Sequence, residues 1–185
     1  MAGPADEVDR LVAAWARERP DLDVSPLTVL SRIGRIARQL DLARRASFAG
    51  HELEQWEFDV LAALRRAGHP YELTPSELLR QTLVTSGTMT NRVDRLVERG
   101  SVERGPDPRD RRGVLVRLTG SGRARVDAGF EALLESERAL LAGLSPRRRA
   151  DLAALLRELT LRVDDTAAMP AAREPAARDG VTPTR

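Results

Sequence analysis

The side chains best suited to specific binding lie between residues 86 and 98, where hydroxyl, amide and guanidinium groups alternate with apolar residues. The apolar residues Met89, Val93, Leu96 and Val97 recur at i, i+4, i+7 and i+8, which predicts a helix with one buried stripe. The polar residues of the same stretch are Ser86, Thr88, Thr90, Asn91, Arg92 and Arg95. In the DNA major groove, arginine can form two hydrogen bonds with guanine, and asparagine two with adenine. The polar side of this helix is therefore expected to contact base edges.

A second short helix precedes this one and is joined to it by a tight turn. Thr74 can cap it, Pro75 suits its first position, and Glu77 stands three residues after the cap. Leu78, Leu79 and Leu83 give it an apolar side. Either Thr85 or Ser86 can cap the following helix, and Gly100 is placed to end it. The two helices form a helix-turn-helix.

After Gly100 the apolar pattern changes to alternation, which predicts a β-hairpin. Val114, Val116 and Leu118 alternate with Leu115 and Arg117, and residues 101–104 can supply the antiparallel partner strand. Residues 105–113 are rich in turn formers and predict a polar loop, with Arg109 at its tip beside Arg111 and Arg112. Arginine is favoured in a narrow minor groove, so these three are candidates for DNA contact. Asp110 and Arg111 can instead pair with each other and stiffen the hairpin.

Positive charge is concentrated in this region. Residues 86–118 contain eight arginines and five acidic residues, a net +3, whereas the whole chain has a net charge of +2. All 30 basic residues are arginine, which suits phosphate and base contacts. A GC-rich genome would also enrich arginine throughout the chain, and on that interpretation most of these arginines lie on solvated helix faces.

Five further helices surround this unit. They are predicted over residues 5–19, over 26–46 with Ser25 as cap, over 53–67, over 119–143, and from Ser145 to Val163. The fold class is thus mainly α, a winged helix-turn-helix with a helical dimerisation region.

The predicted organisation has four parts. Residues 1–24 form an extra N-terminal helix and linker, and 51–118 form the winged helix-turn-helix DNA-binding domain. Residues 25–50 and 119–163 form the helical dimerisation region, because their apolar stripes exceed what so small a winged helix can cover. Residues 164–185 lack apolar periodicity and are expected to be a disordered tail. A two-fold dimer would place its recognition helices about 34 Å apart and favour a pseudo-palindromic operator.

Composition argues against several other classes. The chain has no cysteine, and its two histidines, His51 and His69, lie in predicted loops without a nucleophile motif or a convincing set of metal ligands. Neither a membrane span nor a signal peptide is indicated. We therefore expect a cytoplasmic protein that is not an enzyme and carries no cofactor.

The same residues resemble the MarR family of bacterial transcriptional regulators. The matching stretches are Thr88-x-Thr90-x-Arg92-Val93-Asp94-Arg95-Leu96, Gly100-Ser101-Val102-x-Arg104, Asp107-Pro108-x-Asp110-Arg111-Arg112 and Val116-x-Leu118-Thr119-x-x-Gly122. The Asp-x-x-Asp-Arg-Arg hairpin followed by the last stretch is the specific part. The resemblance implies a homodimer that binds double-stranded DNA, most often as a repressor. The alternative is a winged-helix module that binds another protein and has no sequence-specific affinity for DNA.

The N-terminal part is similar to the urate-responsive branch of that family. The similarity lies in Trp15 followed by Arg19-Pro20-Asp21-Leu22-Asp23, and in Asp59 of Trp56-Glu57-Phe58-Asp59. It implies a pocket for a small anionic or aromatic effector, such as a purine or a phenolic acid, lined by Trp15, Asp59, Arg92 and Arg95. Asp59 would pair with Arg92 or Arg95 and link the pocket to the recognition helix. Trp15 can instead serve only to pack its helix.

Overall fold

The computed structural model describes residues 4–82, 84–108 and 110–168, and leaves out the side chains of residues 111, 112 and 165–168. The chain divides into two compact units, one ending at Ala139 and the other beginning at Leu140. The elements in chain order are α1 (Glu7–Glu18), α2 (Leu27–Ala49), α3 (Gln55–Arg66), β1 (Glu72–Leu73), α4 (Pro75–Thr82), α5 (Ser86–Glu98), β2 (Val102–Asp107), β3 (Asp110–Leu118), α6 (Gly120–Leu141) and α7 (Pro146–Ala168). The mainly helical winged helix-turn-helix fold is confirmed.

The N-terminal helix α1 is held against α2 by charge. Asp6 caps α1, and its carboxylate also accepts hydrogen bonds from Arg32 of α2 at 2.9 and 3.0 Å. Arg32 donates to Asp9 as well, at 2.6 Å. The Arg32 guanidinium, followed by the backbone N–H of Asp9, lowers the pKa of Asp6 to about 2. Val8 of α1 is buried, so these ion pairs are accompanied by a small apolar contact.

The start of α2 differs from the expectation. Ser25 does not cap the helix, because its backbone and hydroxyl groups both donate to Asp23, and Pro26 occupies the cap position without a side-chain hydrogen bond. The helix also runs to Ala49, three residues beyond the predicted end. The added turn buries Phe48, whose ring stacks on Phe58 of α3 at 4.3 Å between centroids.

One continuous core joins α3, α4, α5, the sheet and α6. Its fully buried large side chains include Phe48, Leu61, Leu64, Leu78, Met89, Leu96, Val116 and Val126. Residues from both helices of the helix-turn-helix, from β3 and from α6 thus meet in one cluster. The recognition helix is therefore packed against the rest of the first unit rather than attached only through loops.

The sheet has the order β1-β3-β2 and is antiparallel throughout. The two-residue strand β1, which pairs Glu72 with Arg117, was not predicted, because two residues are too few to show an alternating pattern. The expected loop 105–113 was too long, since β2 continues to Asp107 and β3 begins at Asp110. The inward set also differs: Leu115 is buried, whereas Val114 is exposed.

The end of the hairpin is locked onto α6 through Thr119 and Gly122. The Thr119 hydroxyl donates to the carbonyl of Gly100 at 2.7 Å and accepts from the backbone N–H of Gly122 at 3.0 Å. A Cβ at Gly122 would lie 1.9 Å from the Ser101 carbonyl oxygen, which no side chain can tolerate. This close approach explains the Thr-x-x-Gly spacing after β3.

The second unit contains α7, whose first turn is capped as expected. The Ser145 hydroxyl accepts from the backbone N–H of Arg148 at 3.3 Å. The helix continues to Ala168, so residues 164–168 are helical and do not belong to the predicted tail; residues 169–185 lie outside the described part. Apolar side chains of α7 remain exposed, among them Leu155 and Leu161. Among the described helices, none has the length and hydrophobicity required to cross a membrane.

Gly122→Ala should lower the free energy of unfolding by about 1–3 kcal/mol, because the added methyl group displaces backbone at the base of the hairpin. Urea denaturation measures the difference. Gly120→Ala is the matched control on the same helix, since nothing lies within 4 Å of a Cβ placed there. Equal effects of the two substitutions would mean that the close approach at Gly122 does not matter.

Candidate nucleic-acid interface

The recognition helix α5 buries one side and exposes the other. Thr85, rather than Ser86, caps it by accepting from the backbone N–H of Thr88, and Gly100 follows its end with a φ of +64°. Met89, Val93 and Leu96 are at most 1% exposed, which confirms most of the predicted stripe. Val97 is the exception, because it is 38% exposed.

The polar side of α5 faces away from the core. Ser86, Thr88, Thr90 and Asn91 are all exposed. The Thr88 hydroxyl lies 2.9 Å from that of Thr85, and the Thr90 hydroxyl donates to the Ser86 carbonyl at 3.2 Å. In the part of the chain that is described, the side-chain amide of Asn91 has no hydrogen-bond partner. This face therefore offers donors and acceptors to an outside surface.

The helix before the turn is built as predicted. Thr74 and Glu77 cap α4 reciprocally: the backbone N–H of Thr74 donates to the Glu77 carboxylate at 2.8 Å, and that of Glu77 donates to the Thr74 hydroxyl at 3.2 Å. Leu78 is fully buried beneath this turn. Leu83, expected on the same apolar side, lies outside the described residues.

A buried ion pair fixes the far end of α5 to the start of α3. Glu57 is 0% exposed, and its Oε1 accepts from Nη1 of Arg99 at 2.5 Å. The other oxygen of Glu57 accepts from the backbone N–H of Glu54 at 2.9 Å. Hydrogen bonding to Glu57 raises the pKa of Arg99. A buried carboxylate is tolerated because it has a cation and a backbone donor as partners.

Arg92 and Arg95, both predicted for DNA and ligand contact, meet at Trp56. The guanidinium carbon of Arg95 lies 4.7 Å from the ring centroid of Trp56, and that of Arg92 lies 5.6 Å from it. Arg95 also donates to Glu54 at 3.0 Å, and the indole N–H of Trp56 donates to the other oxygen of that carboxylate at 2.8 Å. The hydrogen bond from Trp56, followed by the charge of Arg95, lowers the pKa of Glu54.

The hairpin is tied to α5 and to the sheet by arginine. Arg104 of β2 pairs with Asp94 of α5 at 2.6 Å. Arg117 of β3 pairs with Glu72 at 2.7 Å and with Glu103 at 3.5 Å. Arg109 lies outside the described residues, as do the side chains of Arg111 and Arg112, so their predicted DNA contact and the pairing of Asp110 with Arg111 remain predictions.

The expected pair between Asp59 and a recognition-helix arginine is wrong for this chain. Asp59 accepts a hydrogen bond from Gln55 at 3.1 Å, while Arg95 bonds Glu54 instead. The reason lies in the faces of α3: Asp59 shares a cleft of about 260 Å³ with Gln81 and Thr82 of α4, away from α5. Phe58, Ala62 and Arg66 complete the lining. Trp15 is half-exposed on α1 and does not line this cleft.

The residues of α3 that contact the recognition helix were not predicted from the sequence. Glu54, Trp56 and Glu57 at the start of α3 receive Arg92, Arg95 and Arg99. One signal was present, because three arginines at spacings of three and four share one face of a helix. Their acidic and aromatic partners lie about 40 residues away in the chain, where no local pattern connects them.

A helix-turn-helix with a polar, exposed second helix and an adjoining hairpin defines the winged helix-turn-helix class of DNA-binding proteins. The family model described as "MarR family" matches residues 51–113 of this chain. The HTH-type transcriptional regulator PecS of Dickeya dadantii is 39% identical over 150 residues, covering 81% of this chain and 90% of the relative. The chain therefore belongs to the MarR family of transcriptional regulators.

Two solved structures extend the comparison. A mutant of MarR from E. coli complexed with operator DNA is 30% identical, with a TM-score of 0.62, covering 75% of this chain and 99% of that one. Bordetella bronchiseptica BpsR, whose DNA binding is regulated by 6-hydroxynicotinic acid, is 28% identical with a TM-score of 0.55. It matches 70% of this chain and 98% of its own. PecS is a transcriptional regulator by name, and both solved structures are of proteins that bind DNA.

Arg99→Met should lower the free energy of unfolding by about 2–3 kcal/mol, because it leaves the carboxylate of Glu57 buried without its cation. Arg95→Met is the matched control on the same helix. Its ion pair with Glu54 is about half exposed on both sides, so its removal should change the free energy by less than about 1 kcal/mol. Thermal unfolding of the two variants tests this, and similar losses would contradict a special role for the buried pair.

Proposed function

We propose that this protein is a homodimeric repressor that binds a pseudo-palindromic operator and is released from it by a small anionic or aromatic ligand. The observation that carries the proposal is the exposed polar side of α5, which stands opposite the buried residues Met89, Val93 and Leu96. Because this action takes place on chromosomal DNA, we place the protein in the cytoplasm.

In the proposed complex α5 enters the major groove. Ser86, Thr88, Thr90 and Asn91 reach base edges and neighbouring phosphates, while Arg92 and Arg95 supply the cationic contacts. Arg109, Arg111 and Arg112 extend from the hairpin toward the adjacent backbone and minor groove. The E. coli relative in complex with operator DNA supports this arrangement by analogy.

Unpartnered apolar surface supports the homodimer. Val29, Leu30 and Ile36 of α2 are each more than half exposed, as are Leu155 and Leu161 of α7. An amphipathic helix normally buries such a stripe. A second copy of the chain would cover these residues and set two recognition helices on one face of the duplex.

Asn91→Ala should weaken binding to the preferred duplex by about 10- to 100-fold, because an asparagine–adenine contact is worth about 1–3 kcal/mol. The preferred duplex is first selected from a random library with the wild-type protein. Fluorescence anisotropy then gives Kd at several salt concentrations, and log Kd should rise with log salt.

A random-sequence duplex of the same length is the control, and Asn91→Ala should bind it about as well as the wild type does. Failure of the wild-type protein to enrich any sequence would favour the protein-interaction module and reject the proposed function. Transcription in vitro from a promoter overlapping the selected site should fall when the protein is added. A rise would make it an activator.

The ligand is proposed to enter the cleft beside Asp59. Asp59 and Arg66 both line this cleft. The Asp59 carboxylate would accept hydrogen bonds from a ligand with N–H groups, such as a purine, and Arg66 would attract an anion. 6-Hydroxynicotinic acid, the compound that regulates BpsR, is likewise a small aromatic acid.

Asp59→Asn should weaken ligand-driven release from DNA without changing the affinity for DNA in the absence of ligand. An anionic ligand is proposed to release DNA by repelling the Asp59 carboxylate and so shifting α3. Asparagine removes that repulsion, while α5 keeps its own contacts with Glu54, Trp56 and Glu57. Urate, xanthine and salicylate are titrated into the complex with the selected duplex, and the half-release concentration should rise about tenfold for the active compound.

Trp15→Ala, tested in the same titration, separates two roles for that residue. A raised half-release concentration would place Trp15 at the ligand site, whereas an unchanged value would leave it a packing residue of α1. Identical dose responses of Asp59→Asn and the wild type would reject the cleft as the ligand site.

A further inference from the structure

Three residues at the start of α3 form an arginine-binding platform for the recognition helix. We use this name for Glu54, Trp56 and Glu57. The platform receives Arg92, Arg95 and Arg99, which lie at i, i+3 and i+7 of one helical face. The two acidic residues of the platform differ in burial. Glu57, which binds Arg99, is 0% exposed, whereas Glu54, which binds Arg95, is exposed.

The three contacts therefore differ in kind. The Arg99–Glu57 pair has a structural role, since separating it would leave the buried Glu57 carboxylate without its cation. The Arg95–Glu54 pair is about half exposed on both sides, so water or another anion can replace either partner. Arg92 contacts the platform through the face of Trp56, and within the described residues it has no acidic partner.

Trp56 is also fixed in place. Its indole N–H donates to Glu54 at 2.8 Å, which orients the ring and the carboxylate together. When a guanidinium group stacks on an aromatic ring, its N–H groups point outward in a plane parallel to the ring. They therefore remain free to donate hydrogen bonds. Trp56 can therefore hold Arg92 and Arg95 in one place while they bind an outside acceptor.

We infer that Trp56 and Glu54 are positioning residues for DNA recognition: Trp56 pre-orders Arg92 and Arg95, and Glu54 competes with DNA phosphate for Arg95. The inference rests on the proposed function, because it requires α5 to contact DNA. In the free protein Arg95 is neutralised by Glu54, and on DNA it exchanges that carboxylate for a phosphate. The platform thus raises selectivity by ordering two arginines and by weakening indiscriminate attraction to DNA.

Trp56→Leu should weaken binding to the selected duplex about tenfold, because both arginines lose their cation–π support. Binding to a random-sequence duplex should change less than about twofold, since phosphate contact tolerates mobile arginines. Trp56→Phe restores the aromatic face without the N–H donor, and should recover affinity for the selected duplex to within about threefold of the wild type.

Glu54→Gln should act in the opposite direction. It removes the competitor for Arg95, so affinity for the random-sequence duplex should rise about threefold. The plot of log K against log salt should also steepen by up to about one unit, because no freed carboxylate takes up a cation when Arg95 binds phosphate. The matched control is Glu98→Gln, which makes the same change in net charge on the exposed side of α5. Glu98→Gln should leave the slope unchanged.

The outcomes separate the inference from the proposed function. If the wild type selects no sequence, the proposed function fails and the inference with it. If the wild type selects a duplex but Trp56→Leu weakens both duplexes equally, Trp56 has only a structural role and the inference is overturned. Equal effects of Glu54→Gln and Glu98→Gln would also overturn the inference. The change in net charge alone would then explain the altered affinity, without an exchange of Glu54 for phosphate at Arg95. All variants are assayed as the full chain.

Discussion

The structure depends on the buried carboxylate of Glu57. It caps the first turn of α3 through the backbone of Glu54 and binds Arg99 at the end of α5, so one side chain joins two helices. A charge with no exposure to water must keep its partner. The end of the recognition helix is therefore fixed relative to α3, and its orientation follows from a requirement of electrostatics as well as from apolar packing.

With α5 fixed at Arg99, one side of the helix packs in the core and the other side remains exposed. Met89, Val93 and Leu96 enter the shared core, and Thr90 and Asn91 remain outside. The hairpin is held to the same helix by the pair between Arg104 and Asp94. Helix and hairpin thus form one presenting surface. Contacts within the chain set their relative placement, and such preorganisation lowers the ordering that binding requires.

Helix α3 also places the proposed ligand cleft next to this surface. Asp59 lies on the side of α3 that meets α4, whereas Trp56 and Glu57 meet α5. A ligand beside Asp59 can influence α5 only if it favours one position of α3 over another. Helix α3 lies between the two sites and offers a physical link, in place of the ion pair between Asp59 and Arg92 or Arg95 that the family resemblance implied.

Local patterns were enough to predict the helix-turn-helix, the cap at Thr74, the choice between Thr85 and Ser86 for the next cap, and the end of α5 at Gly100. Each of these depends on residues within a few positions of one another. Long-range partners were not predictable: the contact of Arg95 with Glu54 crosses 41 positions, and that of Arg99 with Glu57 crosses 42. The burial of Leu115 was missed because packing against distant parts of the chain decides it, and β1 was missed because two residues show no pattern.

The most direct measurement is a crystal structure of the full chain bound to its selected duplex. We expect Thr90 and Asn91 within hydrogen-bond distance of base edges in the major groove, with the pair between Glu57 and Arg99 still intact. A complex in which α5 lies outside the groove, or in which Arg99 has left Glu57 to reach DNA, would contradict this expectation.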